Sequence, residues 1–400
     1  MPLAGEEVSE IMGKLARFAC ADHSASARDL NGKGRITGLE DCAKYRQKKR
    51  QASGMDAMTE SPLPLVGAER PTLKTIAAAT GLAIATVSRA LKDAPDIGEE
   101  TKRRVRETAL KLGYRQNRAA VRLRTGKTNV IALVLSTESD VMNHTSKLLY
   151  SIADALRGTA YHLVVMPFFR DQDPMDPVRY IVETESADGI ILNQTKPDDP
   201  RIRYMTEHHI PFATHGRTDM GLDHPYFDYD NETFGRLAVQ ALDERQRRHV
   251  YMIAPPRNHM YARHMIMGAS QEAAARGMRF ELADGITSDS SADDIEADIA
   301  HRFSGTAPDA IIAGSTTGAI AAVAGAEGAG LRIGQDFDVV SKEAIRLLHR
   351  FRKQMIVVNE DVARAGNFLA RAVMAAIEGR APDQGQALEV PQATDFRTEL

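Results

Sequence analysis

"TLKTIAAATGLAIATVSRAL", Thr72–Leu91, holds two short apolar periodicities separated by a glycine. Leu73, Ile76, Ala77 and Thr80 follow the i, i+3, i+4, i+7 spacing of one buried helix face. Gly81 suits the stop, because glycine takes a left-handed turn without strain. Val87, Ala90 and Leu91 give a second helix, starting near Ile84, its inner face. A third helix is predicted from Glu99 to Leu112, with Val105, Ala109 and Leu112 inward and Gly113 as its stop. Two helices joined by a tight glycine turn make a helix-turn-helix. Such a unit sets its second helix in the DNA major groove with the helix's first residues against base edges.

The chemistry of that second helix restricts what it reads. Ile84 and Ala85 offer only apolar contact, best matched by thymine methyl groups, and Arg89 can bond guanine O6 and N7 in bidentate fashion. Thr72, Thr86 and Ser88 are candidates for phosphate contact, which positions the protein without specifying sequence. Thr86 and Ser88 serve equally well as helix caps or solvated positions. Charge points the same way. Residues 70–128 carry 14 Lys/Arg against 5 Asp/Glu, or +9, so a chain total of −3 leaves −12 elsewhere. A basic block on an acidic body suits a polyanion-binding head on a separate domain, or simply a solvated basic helix face.

A chain of 400 residues predicts two or three domains. At 43% hydrophobic and 26% charged residues it reads as a soluble globular protein, and no apolar run reaches the length of a membrane span. The opening "MPLAGEEVSEIMGK" lacks the apolar stretch of a secretory signal. Two cysteines, Cys20 and Cys42, support neither a disulfide framework nor a four-cysteine zinc site, so the cytoplasm is expected and neither metal nor cofactor is. Residues 1–69 have little apolar periodicity and read as a disordered extension. Met55 and Met58 stand just before the lead-in "TESPLPLVGAERP". Translation from one of them would make the preceding segment a start-site artefact. The competing reading is a genuine tail whose "KYRQKKR" (Lys44–Arg50) adds a phosphate contact.

From Val130 the pattern changes to apolar runs alternating with helical stretches: "VIALVLS", "YHLVVMPF", "DGIILN", "IPFAT", then "HVYMIAP", "PDAIIAG" and "DFDVVS". This alternation predicts parallel sheets covered by helices on both faces. The run is long enough for two such units, the second beginning near Tyr226–Asp230.

"GYRQNRAAVRLRTGKTNVIALV" and the head stretch together resemble the lactose-repressor (LacI/GalR) family of bacterial transcription regulators. The resemblance is carried most clearly by "ATVSRAL" and by Tyr114, Asn117, Ala120, Leu123 and Thr128, and it extends from residue 72 to about 397. It implies a helix-turn-helix head at 70–116, a hinge helix at 117–127 and a two-lobed, periplasmic-binding-protein-like sensor and dimerisation domain at 128–400. Asn117 is a good N-cap for the short helix "RAAVRLR", which is too short to persist unless something packs against it. The family's hinge helices enter the minor groove in pairs. There Leu123 would act as an apolar wedge, with Arg118, Arg122 and Arg124 around it. Two departures bear on DNA binding. Gln116 stands where the family often has proline. Ala83 stands where it usually has a capping serine, a loss of about 0.5–2 kcal/mol of helix stability.

In such sensors two α/β lobes close over a small ligand at the carboxyl ends of strands. The candidate effector-binding residues are therefore those just after each strand: Asn143, His144, Phe168, Asn193, His215, Arg217, Asp230, Tyr261, Arg263, Thr317 and Glu343, with Thr316 and Lys342 beside them. Arg217, Asp230 and Arg263 suit bidentate bonding to vicinal hydroxyls or a carboxylate, or else inter-lobe salt bridges and helix caps. The family pattern is broken at three places. Met265 replaces an arginine, Thr317 replaces an aspartate, and "SKEA" (Ser341–Ala344) replaces a "GYDD"-type turn. With no tryptophan, stacking on a sugar ring falls to Phe or Tyr.

The expectation is a homodimeric repressor of a carbohydrate-utilisation operon. It would bind a pseudo-palindromic duplex operator and answer to a sugar or polyol. The alternatives are a relative sensing a non-sugar ligand such as a purine, and a solute-binding protein, which should have a signal sequence and no basic head. An enzyme is not expected. The chain has no G-x-x-x-x-G-K-[ST], H-E-x-x-H or G-x-S-x-G motif, and "GSTTG" (Gly314–Gly318) is a small-residue turn after a strand. The absence of C-terminal leucine heptads argues against a terminal coiled coil.

Overall fold

Thr72 starts the first helix through a capping box with Thr75: the Thr75 N–H donates to the Thr72 hydroxyl at 3.4 Å, and the Thr72 N–H donates back at 3.1 Å. This is a computed structural model, and it describes residues 71–115, 122–123, 125–137, 142–169, 171–304, 307–381, 385–396 and 398. The extension at 1–69, with its methionines and basic run, lies outside the described residues, as do hinge residues Asn117, Arg118 and Ala120. The chain divides into two units, one ending at Tyr114 and the other beginning at Arg115.

The first unit is three helices: α1 (Leu73–Thr80), α2 (Ile84–Leu91) and α3 (Glu99–Lys111). Six of the ten positions the periodicity selects form its core, Ile76, Ala77, Val87, Ala90, Val105 and Ala109, while Leu73, Thr80, Leu91 and Leu112 are half-buried around it. Gly81 takes φ +69° and Gly113 φ +66°, the left-handed stops that end α1 and follow α3. α2 starts at Ala83 with no side-chain cap bond, so the missing serine is not replaced by another group.

The second unit contains two parallel sheets. The first uses β1 (Val130–Ser136), β2 (His162–Phe168), β3 (Gly189–Leu192), β4 (Phe212–His215), β5 (Tyr226–Tyr229) and β11 (Gln386–Glu389), in the order β11-β5-β4-β3-β1-β2. The second uses β6 (His249–Ile253), β7 (Arg279–Leu282), β8 (Ala310–Ala313), β9 (Asp338–Glu343) and β10 (Ile356–Asn359), in the order β10-β9-β8-β6-β7. Helices α4 (Met142–Ala155) and α12 (Val362–Ile377) cover one face of the first sheet, and α5 (Met175–Thr184) and α6 (Pro200–Glu207) the other. Around the second sheet, α7 (Asn231–Glu244) and α8 (Met260–Ala275) take one face. On the other lie α9 (Ala292–Phe303), α10 (Thr316–Gly328) and the short α11 (Leu348–Phe351). Each lobe thus has an apolar core on both sides of its sheet, as purely parallel sheets require.

The chain does pass from the first lobe to the second after Tyr229, where the sequence changes register. It does not stay there. After β10 it returns to the first lobe as α12 and β11, then crosses again so that Phe396 packs on Phe234 of α7 at 5.7 Å between ring centroids. Three crossings lie side by side. The Asp230 N–H donates to the Glu389 carbonyl at 2.8 Å, and the Asp361 N–H to the Glu389 carboxylate at 3.1 Å.

Candidate DNA-reading helix and effector cleft

On α2, burial of Val87 and Ala90 leaves Ile84, Ala85 and Arg89 exposed, with Thr86 and Ser88 half-buried beside them. Ile84 is 44% exposed and is not among the residues of the head's core. Arg89 is held by an ion pair with Asp96. Thr72 uses its hydroxyl to cap α1. Leu123, whose proposed work is to wedge between bases, is 90% exposed, and the adjacent Arg122 donates to the Thr184 carbonyl at 3.0 Å.

In the second unit the carboxyl ends of both sheets open onto one cleft, lined by His144, Asn193, His215, Tyr261 and Glu343 among the residues read from the sequence. Glu360, just after β10, lines it too. His144 Nε2 lies 3.2 Å from Glu360 Oε1, and Lys342 Nζ donates to Glu360 Oε2 at 2.8 Å and to Asn231 Oδ1 at 2.9 Å. The Lys342 ammonium also sits 4.8 Å above the Tyr229 ring. Burial opposes ionisation of Glu360, yet Lys342, His144 and His215 hold its carboxyl well below the usual range. Burial, with His144 beside it, pushes His215 down to about 3, so its imidazole is neutral at physiological pH. Burial raises Asp228 to about 6 even though Arg217 Nε lies 3.1 Å from it.

His144, His215 and Glu360 bring their donor atoms within 4.8 Å of one another. The two imidazoles stack with centroids 5.0 Å apart and planes 21° apart, so their in-plane lone pairs run side by side instead of converging. That geometry suits hydrogen bonds to a ligand better than a tetrahedral metal shell.

Several residues expected in the cleft are elsewhere. Phe168 ends the edge strand β2 and packs into the core with Val134 and Leu192. Arg217 pairs with Asp228, and Asp230 caps α7 by accepting the Thr233 N–H at 3.1 Å and its hydroxyl at 2.9 Å. Arg263 lies outside, 3.4 Å from Asp219, and cannot replace the missing arginine; Met265 itself is fully buried in the second-lobe core. Thr317 is exposed because one residue turns a helix by about 100°, and its neighbour Thr316 takes the cleft side. Asn143 opens α4, and its side chain lies outside the described set.

The sequence reading missed Asp228, Tyr229, Asn231 and Glu360. Glu360 had a signal: "MIVVNE" is another apolar run, and the residue after it obeys the rule that found the others. Gly216 has a plain structural reason. It takes φ +112°, and a Cβ there would lie 2.5 Å from Thr195 Oγ1, so the turn that aims His215 needs glycine.

Comparison with known proteins matches the two units to two families. Residues 72–117 match the bacterial regulatory proteins of the lacI family, and residues 128–376 match the periplasmic binding proteins and sugar binding domain of the LacI family. The chain is 35% identical over 191 residues to the HTH-type transcriptional regulator RafR of Escherichia coli, an alignment covering 47% of this chain and 56% of that one. It is 29% identical over 325 residues to AglR of Rhizobium meliloti, covering 78% and 90%. Its fold is similar to that of the Lac repressor dimer bound to operator and an anti-inducer, with a TM-score of 0.70 at 19% identity over 80% of this chain and 97% of that one. These relatives are transcription regulators and not enzymes. With a helix-turn-helix head and a two-sheet binding unit in one polypeptide, the chain belongs to the LacI family of DNA-binding transcription regulators.

Proposed function

We propose that this regulator is a cytoplasmic, homodimeric repressor of a carbohydrate-utilisation operon, and that a saccharide bound between its lobes controls its grip on a pseudo-palindromic operator. In this reading Ile84, Ala85 and Arg89 contact base edges. Thr72, Thr86 and Ser88 hold phosphates, and Asn117, Arg118, Ala120 and Leu123 act at the hinge. The effector sits among His144, Asn193, His215, Tyr261, Lys342, Glu343 and Glu360.

One observation carries the saccharide reading. Asn193 and Tyr229 line this cleft, and Asn193 Oδ1 and the Tyr229 hydroxyl are buried with no hydrogen-bond partner among the described residues. Buried polar atoms are nearly always satisfied, so a ligand rich in hydroxyl groups is the natural partner, with the Tyr261 ring, stacked on His259 at 5.5 Å, as an aromatic wall of the cleft. Residues from both lobes meet the ligand, so binding favours one lobe arrangement, and ligand affinity and DNA affinity are linked reciprocally. Dimerisation has a suitable surface: edge strand β2 leaves Val164 and Val165 exposed.

The test is a thermal-shift screen of the full chain against sugars, polyols and purines, followed by DNA binding with each hit. A ligand at about 100 times its dissociation constant adds roughly 2.7 kcal/mol of stability. A saccharide that raises Tm and changes operator affinity supports the proposal. Stabilisation by purines alone overturns its ligand class.

A further inference from the structure

The charge lining the cleft restricts the ligand more closely than its polarity does. Four carboxylates line it, those of Asp228, Asp289, Glu343 and Glu360, against a single ammonium, that of Lys342. Lys342 is already engaged by Glu360 and Asn231. No arginine lines the cleft among the described residues: Arg217 is turned to Asp228, and Arg263 to Asp219. Glu343 is 3% exposed and accepts the N–H groups of Leu347 and Leu348, both at 2.8 Å, on one oxygen.

A second observation does not depend on this count. Asn193 is 3% exposed, and its Oδ1 is an acceptor that lacks a donor. A hydroxyl or an ammonium can supply that donor; an ionised carboxylate or phosphate cannot. Even with Arg217 counted against Asp228, the four carboxylates outnumber the two cations, so an anionic group would meet net negative charge and would leave Asn193 Oδ1 unsatisfied.

Resting on the saccharide reading, we infer that the cleft takes an uncharged or amino-bearing sugar and rejects the carboxylate and phosphate forms of that sugar. The regulator would then respond to the sugar as it arrives, before any oxidation or phosphorylation.

The experiment is calorimetric titration of the full chain with matched sets. These are glucose, galactose, maltose and lactose beside gluconate, galactonate, maltobionate and lactobionate, with the 6-phosphates of the two monosaccharides and the 2-amino forms of glucose and galactose. The best neutral or amino sugar is expected to bind about 100-fold tighter than its acid or phosphate partner. Glu343→Gln, which keeps an acceptor for the two N–H groups, is expected to narrow that gap about tenfold. An acid or phosphate that binds within tenfold of its parent overturns the inference while leaving the saccharide reading intact, and so does a gap that Glu343→Gln leaves unchanged. Binding by no member of any set removes the saccharide reading and this inference together.

Discussion

The head and the cleft are built on opposite plans. The proposed reading surface of the head comes from a single helix of eight residues, Ile84–Leu91, whose exposed side is fixed once Val87 and Ala90 turn inward. The cleft joins His144 to Glu360, residues 216 positions apart, through side chains contributed by both lobes and by a crossing between them. A local surface depends on helical periodicity alone. An assembled one depends on every sheet register being right, and on buried charges that stabilise one another only in place.

Four changes test that contrast, in falling order of effect. Lys342→Met leaves the Glu360 carboxylate buried without its cation and is expected to cost about 3–5 kcal/mol in the sensor unit. Urea unfolding measures it, and Lys342→Met/Glu360→Gln together should lose clearly less than the two single losses added. Losses that simply add would mean that the pair is not coupled.

Gly268→Ala comes next. A Cβ there would lie 2.0 Å from the Glu232 carbonyl, at the place where α8 crosses α7, and a Cβ on the facing Gly235 would lie 2.3 Å from the Met265 carbonyl. Forcing these helices apart should cost about 3 kcal/mol and lower the sensor's thermal transition. An unshifted transition would show that the crossing is looser than described.

The third change concerns pH. His215 is depressed to about 3 from 6.5, so its contribution to stability is complete above pH 6.5 and is lost as pH falls through the window toward 3. In that window the unfolded state binds the proton and the folded state does not, and stability falls by up to about 1.4 kcal/mol per pH unit. His215→Asn should flatten this slope. Asp228, raised to about 6, acts in the opposite sense between pH 3.8 and 6, but it is present in both proteins and cancels in the comparison. Equal slopes in the two proteins would mean that His215 titrates normally. The smallest effect is expected in the head, where Ala83→Ser supplies the cap that α2 lacks and should add about 1 kcal/mol to its stability.

The three helices of the head and its buried positions were legible, although Leu73, Thr80, Leu91 and Leu112, also read as inward, are only half-buried. Gly81, Gly113 and the six core positions all follow from spacing and from glycine's conformational freedom. In the sensor, the alternation of strands and helices gave the fold class and the first lobe crossing. The return of α12 and β11 to the first sheet was not legible, because nothing in a strand's own residues says which sheet it joins. The rule that ligands sit after strands placed His144, Asn193, His215, Tyr261 and Glu343 on the cleft. It failed where a polar residue had a nearer partner. Asp230 found the Thr233 N–H, Arg217 found Asp228, and Arg263 found Asp219. Such competition is set by distances of a few ångströms across segments remote in sequence, which residue type alone does not carry.

The most direct test of the account is fluorescence anisotropy of the full chain on a labelled duplex from the region upstream of its own gene, with and without the saccharide that most raises Tm. The account predicts tight binding that falls steeply with salt, weakens in Arg89→Ala, and changes at least about fivefold when the saccharide is added. Equal affinity for the upstream and a scrambled duplex, or an affinity indifferent to a saccharide shown to occupy the cleft, would contradict it.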